Sequence, residues 1–359
     1  MTWTEHYGLL DRFVHRTAFA STGIQKIVAD MEDTLFQPQL AGVSTDKPVF
    51  VTSLPRAGTT LLLDRLSSLP EFATHTYRSM PFLLCPLLWD RLSNGFRKDG
   101  KPMERAHGDG MQIDFDSAEA FEEALWQAWW PEKYADERIA PWSAADEHDE
   151  FDTFFTNHLR KIIVTTRQRK GPAATRYLSK NNANIIRIDK LVSLFPDAHI
   201  VVPVREPVSH IASLHRQHLR FLKAHDDDAF ARDYMRAIGH RDFGANLAPL
   251  AFAGFDADAN RATEMQFWLD YWIAAYSMLA ANKCDRLTFV CYEELCAEPA
   301  ATLSWLVERL NVTCSDLAEL AADIKSQNRR TPIPDEIDRD KLDEAAGVYR
   351  YLKQLASRR

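Results

Sequence analysis

Two stretches of the chain pass from apolar residues to a helical pattern through a short turn. The first is 49–61, VFVTSLPRAGTTL, in which Pro55 and Gly58 mark the turn. The leucines of 61–69 then repeat with the spacing of one helix face. An apolar run without polar alternation is typical of a strand that is buried on both faces of a parallel sheet. The pattern therefore predicts a strand, a tight turn and a helix.

The second stretch, 176–218, predicts a strand, a helix, a strand and a helix. His199–Val204 is short, rich in β-branched residues and almost wholly apolar, as a central parallel strand should be. Arg205 follows that strand directly, and Pro207 suits the first turn of the next helix. Ligands of open α/β sheets bind at the carboxyl ends of the strands. Arg205, and Ser213 eight residues later, can therefore face one crevice. An arginine that pairs with Glu206 or with a helix end is the alternative.

These patterns predict the α/β class, with a P-loop-like three-layer fold in which helices flank a central, mainly parallel β-sheet. A length of 359 residues suggests two domains, but no linker, repeat or low-complexity tract divides the chain. We predict a single domain, 1–359. It comprises an N-terminal helical extension (1–46), an α/β core (47–312) and a C-terminal helical segment (313–359).

Composition bounds the location and the partners. The formal net charge of −8 argues against broad attraction to nucleic acids or anionic membranes. The five cysteines form no C-x-x-C pair, so reduced thiols are expected. No secretory signal pattern opens the chain, and no run approaches the ~18 apolar residues of a membrane span. We expect a cytoplasmic protein with no nucleic-acid partner and no membrane span, and a homo-oligomer stays open.

The turn after the first strand has the residue types that bind a tetrahedral anion. The first amides of a helix lack intrahelical partners and attract anions. Arg56 can fork onto two anion oxygens, and the Thr59 and Thr60 hydroxyls can donate to others. The Walker pattern G-x-x-x-x-G-K-[ST] is absent, since Arg56 precedes the single Gly58. A sulfuryl or phosphate group bound without metal is favoured, and a plain turn with a solvated arginine is the alternative.

Several segments together resemble the sulfotransferase superfamily, which uses 3′-phosphoadenosine 5′-phosphosulfate (PAPS). They are LPRAGTT and the R-E-P-x-S-x-x-x-S pattern of 205–213. The stretch 177–207 is similar to that of tyrosylprotein and bacterial carbohydrate sulfotransferases, and 286–312 looks like the last core strand and helix of the family. The resemblance covers 49–312, and the missing membrane anchor favours the bacterial type over the Golgi type.

The resemblance implies a role for each matching residue. The loop for the 5′-phosphosulfate would consist of Arg56, Ala57, Gly58, Thr59 and Thr60. Arg205 and Ser213 would hold the 3′-phosphate, and Tyr292 would lie at the nucleotide. Lys180 would help to neutralise the transferring sulfuryl group. PAPS would be the cosubstrate and adenosine 3′,5′-bisphosphate (PAP) the product, with no metal required.

The family pattern is not matched everywhere. Many relatives have Asn or Asp where Glu206 stands, and tyrosylprotein sulfotransferases have an arginine at the position of Gln217. We nevertheless predict an enzyme that moves the sulfuryl group of PAPS to a hydroxyl of a saccharide or another small or glycan-like acceptor. An ATP-dependent P-loop kinase and a non-catalytic nucleotide-binding scaffold are the alternatives.

The acceptor hydroxyl needs a general base, and the sequence offers several candidates. His107 comes first, because Gly108 and Gly110 make a flexible turn around a residue that is neutral near physiological pH. Asp109 is a candidate to orient it or to act itself, and an ordinary surface-loop histidine is the alternative. His75 comes second, because it lies where tyrosylprotein sulfotransferases place a catalytic Glu.

Other polar and aromatic residues lie near these candidates in the sequence. Arg78 is a candidate contact for sulfate or acceptor. Asp116 and Glu119 have the spacing of an N-terminal capping box, so the acidic residues of 119–123 are assigned to a helix and are weaker base candidates. The tryptophans of 126–142 are expected to pack in the core rather than to bind sugar rings.

Overall fold

The computed structural model of the protein describes residues 21–93, 103–104, 112–113, 116–135, 137–324 and 337–356. Its α-helices are α1 (Thr22–Leu40), α2 (Thr59–Ser67), α3 (Pro86–Ser93), α4 (Glu122–Trp129), α5 (Asp149–Lys170), α6 (Ile188–Leu194), α7 (Pro207–Asp227), α8 (Ala229–Ala237), α9 (Met265–Ala281), α10 (Tyr292–Ala297), α11 (Pro299–Arg309), α12 (Leu317–Ala321) and α13 (Arg339–Ala356). Its strands are β1 (Val49–Val51), β2 (Phe72–Ala73), β3 (Met103–Glu104), β4 (Gln112–Ile113), β5 (Arg176–Lys180), β6 (His199–Val204) and β7 (Leu287–Cys291).

Five strands form one sheet in the order β2-β5-β1-β6-β7, and all neighbouring pairs are parallel. Val51 at the end of β1 lies between Lys180 of β5 and Val201 of β6. β3 and β4 form a separate antiparallel pair. Because the strands of the large sheet are parallel, the segments that follow β1, β5, β6 and β7 meet at one edge. The predicted α/β fold with a central parallel sheet is confirmed.

Helices cover both faces of the sheet, which explains why its strands are apolar without alternation. Val49 and Val51 of β1 belong to one core, which also contains leucines of α2 and α11. Phe50, between them, points into the larger core on the other face, where its ring centroid lies 6.5 Å from that of Phe155 in α5. Full burial of such a side chain contributes roughly 1.5 to 3 kcal/mol. Two cores therefore fix the central strand from both sides.

The tryptophan cluster belongs to the larger core. Trp126, Trp129, Trp130 and Trp142 are all buried, and the rings of Trp126 and Trp142 meet edge to face with centroids 5.6 Å apart. The packing interpretation of these residues is confirmed. All five cysteines are free. No described helix is both long and apolar enough to span a bilayer. The domain boundaries, the cellular location and the oligomeric state stay predictions.

The predicted capping box is wrong. α4 begins at Glu122, with no side-chain cap. Asp116 instead accepts from Nε and Nη2 of Arg78, at 2.5 and 2.7 Å. Glu119 accepts a 2.5 Å hydrogen bond from the hydroxyl of Tyr77 and lies before the helix. Both carboxylates bind side chains that are distant in sequence. A three-residue spacing cannot reveal such contacts.

Candidate active site

The turn between β1 and α2, residues 52–58, lies at the carboxyl edge of the sheet. Arg56 and Gly58 have φ angles of 70° and 101°, in the left-handed region. Gly58 is the N-cap residue of α2, and no side chain caps the helix. A Cβ atom at Gly58 would lie 2.8 Å from Cδ2 of Tyr292, so this position requires glycine. The first amides of α2 thus lack intrahelical partners at an anion-binding end of a helix.

Two arginines and a serine from different elements meet beside this turn. Nε of Arg56 donates to Oγ of Ser213 on α7 at 3.4 Å. Nη1 of Arg205 donates to the carbonyl oxygen of Arg56 at 2.9 Å. Cζ of Arg205 also lies 4.8 Å from the ring centroid of Tyr292. The structure therefore brings together two cations that are far apart in sequence, and a bound anion would relieve their mutual repulsion.

Glu206, which departs from the family pattern, caps α7. Its Oε1 accepts from the backbone N–H of Val208 at 3.0 Å, and its Oε2 accepts from that of Ser209 at 2.8 Å. Its own backbone N–H donates to Oε1 of Glu293 at 3.0 Å. A carboxylate at this end also complements the helix dipole. Glu206 therefore fixes the backbone that presents Arg205.

Buried hydrogen bonds support the turn from the direction of α9. Oγ of Ser53 donates to the carbonyl oxygen of Pro203 at 2.7 Å. The 2.7 Å bond between Oγ of Ser53 and the hydroxyl of Tyr276 must then have the tyrosine as its donor, since serine carries one hydroxyl hydrogen. Burial raises the pKa of Tyr276, so its hydroxyl keeps this proton.

His210 of α7 holds the same turn. Nε1 of Trp272 lies 3.1 Å from Nδ1 of His210, and an indole N–H can only donate. Nε2 of His210 therefore carries the proton and donates to the carbonyl oxygen of Pro55 at 2.8 Å. Burial, together with the nearby Arg205, lowers the pKa of His210 to about 3. The imidazole is neutral and adds no charge to the cationic site.

β5 brings Lys180 and the residues after it to the same edge. Lys180 is partly exposed beside the end of β1. The carbonyl oxygen of Asn182 accepts from the hydroxyl of Thr52 at 3.2 Å, and its Oδ1 accepts from that of Thr59 at 3.4 Å. Thr59 is buried, whereas Thr60 is partly exposed. Of the two threonines, Thr60 is thus the more exposed to solvent.

A protein-family comparison agrees with this geometry, in which the turn with Arg56 and the second arginine, Arg205, lie at one edge of the sheet. The protein-family model described as "Sulfotransferase family" matches residues 48–316. The chain belongs to the sulfotransferase family. It is therefore a transferase, and PAPS dependence is the usual case in this family. No curated protein matches the sequence.

The chain is also similar to solved sulfotransferase structures, at low identity. STF1 from Mycobacterium tuberculosis is 17% identical, with a TM-score of 0.46, and the match covers 97% of this chain and 85% of that chain. STF9 from Mycobacterium avium is 13% identical, with a TM-score of 0.46 and coverages of 90% and 80%. A sulfotransferase from Alicyclobacillus acidocaldarius is 12% identical, with a TM-score of 0.40 and coverages of 88% and 98%.

The remaining predicted site residues of this sulfotransferase are buried away from the acceptor, bound to another side chain or outside the described residues. His75 is 1% exposed, and its Nε2 lies 3.2 Å from Nε2 of His158. Burial lowers the pKa of His75 to about 3, and because a base must reach its acceptor, this position does not fit the role. Arg78 is bound to Asp116. His107 lies outside the described residues, and its role stays a prediction.

Two residues that build the site, His210 and Asn182, were missed in the prediction from the sequence. His210 lies five residues after Arg205, but its partners Pro55 and Trp272 are far away along the chain. Asn182 lies two residues after Lys180, and that proximity was its one available indication. Within the ranges that the structure describes, no cluster of three or more His, Cys, Asp or Glu side chains could hold a metal ion.

Four histidines that are buried or, in the case of His199, partly buried lead us to expect a loss of stability in mild acid. Burial lowers the pKa of His75 and His210 to about 3, and that of His199 and His218 to about 4, from 6.5. The unfolded chain binds more protons over this interval, so the free energy of unfolding decreases as the pH falls below about 6.5. Between pH 6.5 and 5, one such histidine contributes a loss of roughly 1.5 kcal/mol. Urea unfolding followed by tryptophan fluorescence measures it, and equal midpoints at pH 7 and pH 5 would contradict the expectation.

Proposed function

We propose that this sulfotransferase moves the sulfuryl group of PAPS to a hydroxyl of a saccharide or another small or glycan-like acceptor. One observation carries this function. Arg56, Arg205 and Ser213, from separate elements, meet beside the uncapped N-terminus of α2. Such a cluster suits a ligand that has two anionic ends a short distance apart. PAPS has this chemistry, with a phosphate at one end and a phosphosulfate at the other.

One end of the cluster would hold the 3′-phosphate. Arg205 can approach two phosphate oxygens with its planar guanidinium, and Ser213 can donate its hydroxyl. Both side chains are buried, at 4% and 8% exposure, where a charge-assisted hydrogen bond is stronger than in water. Tyr292 packs between Gly58 and Arg205 and would line the nucleotide site with its ring.

The other end would hold the 5′-phosphosulfate. The hydrogen-bond donors here would be the backbone N–H groups from Ala57 to Thr60, the guanidinium of Arg56 and the hydroxyl of Thr60. Thr59 contributes its backbone N–H, because its hydroxyl donates to Asn182. Lys180 would add a cation at the adjacent strand end.

PAPS, when bound, supplies an activated sulfuryl group whose transfer leaves negative charge on a phosphate. Arg56 and Lys180 would stabilise that charge from fixed positions. By analogy with oxyanion holes, one well-placed donor contributes about 3 to 4 kcal/mol to the transition state. The protein's main chemical task would thus be to place cations and amides.

Calorimetry with two nucleotides tests this function against an ATP-dependent kinase. PAP is expected to bind at least about 100-fold more tightly than ATP with Mg²⁺, because LPRAGTT has no Walker lysine and the two arginines suit two separated phosphates. Tighter binding of ATP with Mg²⁺ would contradict the proposal.

A second assay separates an enzyme from a scaffold. Release of PAP from PAPS is followed with water alone and with a panel of saccharides and other alcohols. Sulfation of at least one alcohol is expected. Binding of PAP without any consumption of PAPS would leave the non-catalytic scaffold as the better description.

A further inference from the structure

A carboxylate with no assigned role lies next to the proposed phosphosulfate loop. Nδ2 of Asn182 donates to Oδ2 of Asp242 at 2.8 Å. Oδ1 of the same Asn182 accepts from the hydroxyl of Thr59, at the start of α2. A single asparagine side chain thus connects Asp242 to the loop. Asn182 also follows Lys180 by two residues, so Asp242 lies at the end of the site where the sulfuryl group is proposed to bind.

The segment that carries Asp242 is held in place by two glycines in the left-handed region. Gly239 has a φ of 79°, and a Cβ atom there would lie 2.9 Å from Cβ of Glu123. Gly244 has a φ of 68°, and a Cβ atom there would lie 2.7 Å from Nδ1 of His225. Neither position has space for a side chain. The segment is therefore packed against α4 before Asp242 and against α7 after it.

Buried imidazoles hold the backbone after Asp242. The backbone N–H of Gly244 donates to Nδ1 of His218 at 3.2 Å, and that of Ala245 donates to Nδ1 of His225 at 3.1 Å. Burial lowers the pKa of both imidazoles, that of His218 to about 4, which keeps them neutral as acceptors. The fold thus fixes Asp242 from both ends.

One oxygen of this carboxylate is left for a ligand. Asp242 is partly exposed, and among the described residues Asn182 is the one donor to it, through Oδ2. Oδ1 of Asp242 receives no hydrogen bond from the described part of the chain. The neighbouring Glu123, by contrast, accepts two hydrogen bonds from Arg187, and Glu206 is engaged at the start of α7. Asp242 is therefore better placed than these carboxylates to receive a proton from a substrate.

We infer that Asp242 is the general base for the acceptor hydroxyl, an assignment that rests on the proposed function. Oδ1 of Asp242 takes the proton of the hydroxyl, and the acceptor oxygen forms a bond to sulfur. The bond between sulfur and the 5′-phosphate oxygen breaks, and its electron pair leaves with PAP. Asn182 donates to Oδ2 of Asp242 and so leaves Oδ1 for the acceptor. General bases of this kind raise rates about 100- to 10,000-fold.

Asp242→Asn tests the assignment, because it keeps an oxygen for Asn182 and removes the basic one. Release of PAP from PAPS is expected to fall about 100-fold, with water alone and with each alcohol of the panel. The Kd of PAP by calorimetry and the melting temperature are expected to stay near those of the wild type. Asp285→Asn is the matched control, since its side chain is 86% exposed and precedes β7 at the opposite sheet edge.

The outcomes separate this inference from the proposed function. Normal release of PAP by Asp242→Asn overturns the inference alone, and so does a loss of PAP binding in that variant, which indicates a structural role. A wild-type protein that neither binds PAP nor consumes PAPS overturns the function, and the base assignment with it. His107→Ala is measured in parallel. A 100-fold loss there, with none in Asp242→Asn, assigns the base to His107.

Discussion

Replacing Arg56 with alanine is expected to lower the rate of sulfuryl transfer about 100- to 1,000-fold while the protein stays folded. A positioned donor aimed at developing charge contributes about 3 to 4 kcal/mol to a transition state, which corresponds to this range. Arg56 is partly exposed at the turn, outside the two hydrophobic cores, so the core does not depend on its side chain. Release of PAP from PAPS gives the rate, and thermal melting followed by circular dichroism checks the fold.

Two further variants make the result specific to the site. Arg56→Lys is expected to recover part of the rate, since lysine keeps the charge but not the planar fork. Arg286→Ala removes an arginine that is 41% exposed at the amino end of β7, and it is expected to behave like the wild type. Near-normal turnover of Arg56→Ala would refute the catalytic role of this residue.

The fold was predictable because its signal is local. An apolar run without alternation identifies a parallel strand, and β1 and β6 are buried on both faces as their composition predicts. Arg205 could be assigned to the sheet edge on the same basis, because it follows β6 directly. Strand order was not available in this way, since it depends on which distant strands pair.

The details of the site depended on partners that no spacing shows. The hydrogen bonds of His210 to Pro55 and Trp272 span 155 and 62 residues along the chain. Asp242 and Asn182 are 60 residues apart, and Asp242 lies outside the segments that resemble the family. The predicted capping box of Asp116 was wrong and His75 does not fit the role of a base for the same reason. Tertiary contacts determine the surroundings of both side chains.

Replacing Arg205 with alanine is expected to weaken the binding of PAP about 100-fold and to have much less effect on adenosine 5′-phosphate. The two ligands differ in the 3′-phosphate, and hydrogen bonds from a buried guanidinium to a charged group contribute about 1.5 to 3 kcal/mol each. Calorimetry with both nucleotides on both proteins gives the coupling between the arginine and the 3′-phosphate.

The ligand pair matters because Arg205 also supports the site. Its Nη1 holds the carbonyl oxygen of Arg56, and its guanidinium packs on Tyr292, so its removal also loosens the turn. A loosened turn would weaken both nucleotides equally, whereas a lost phosphate contact weakens PAP alone. Equal losses would therefore discard the 3′-phosphate assignment and leave Arg205 as a support of the turn. The affinity of Arg205→Lys for PAP is expected to lie between those of the wild type and Arg205→Ala. Lysine can bind the phosphate, but it cannot make the fork that also reaches Arg56.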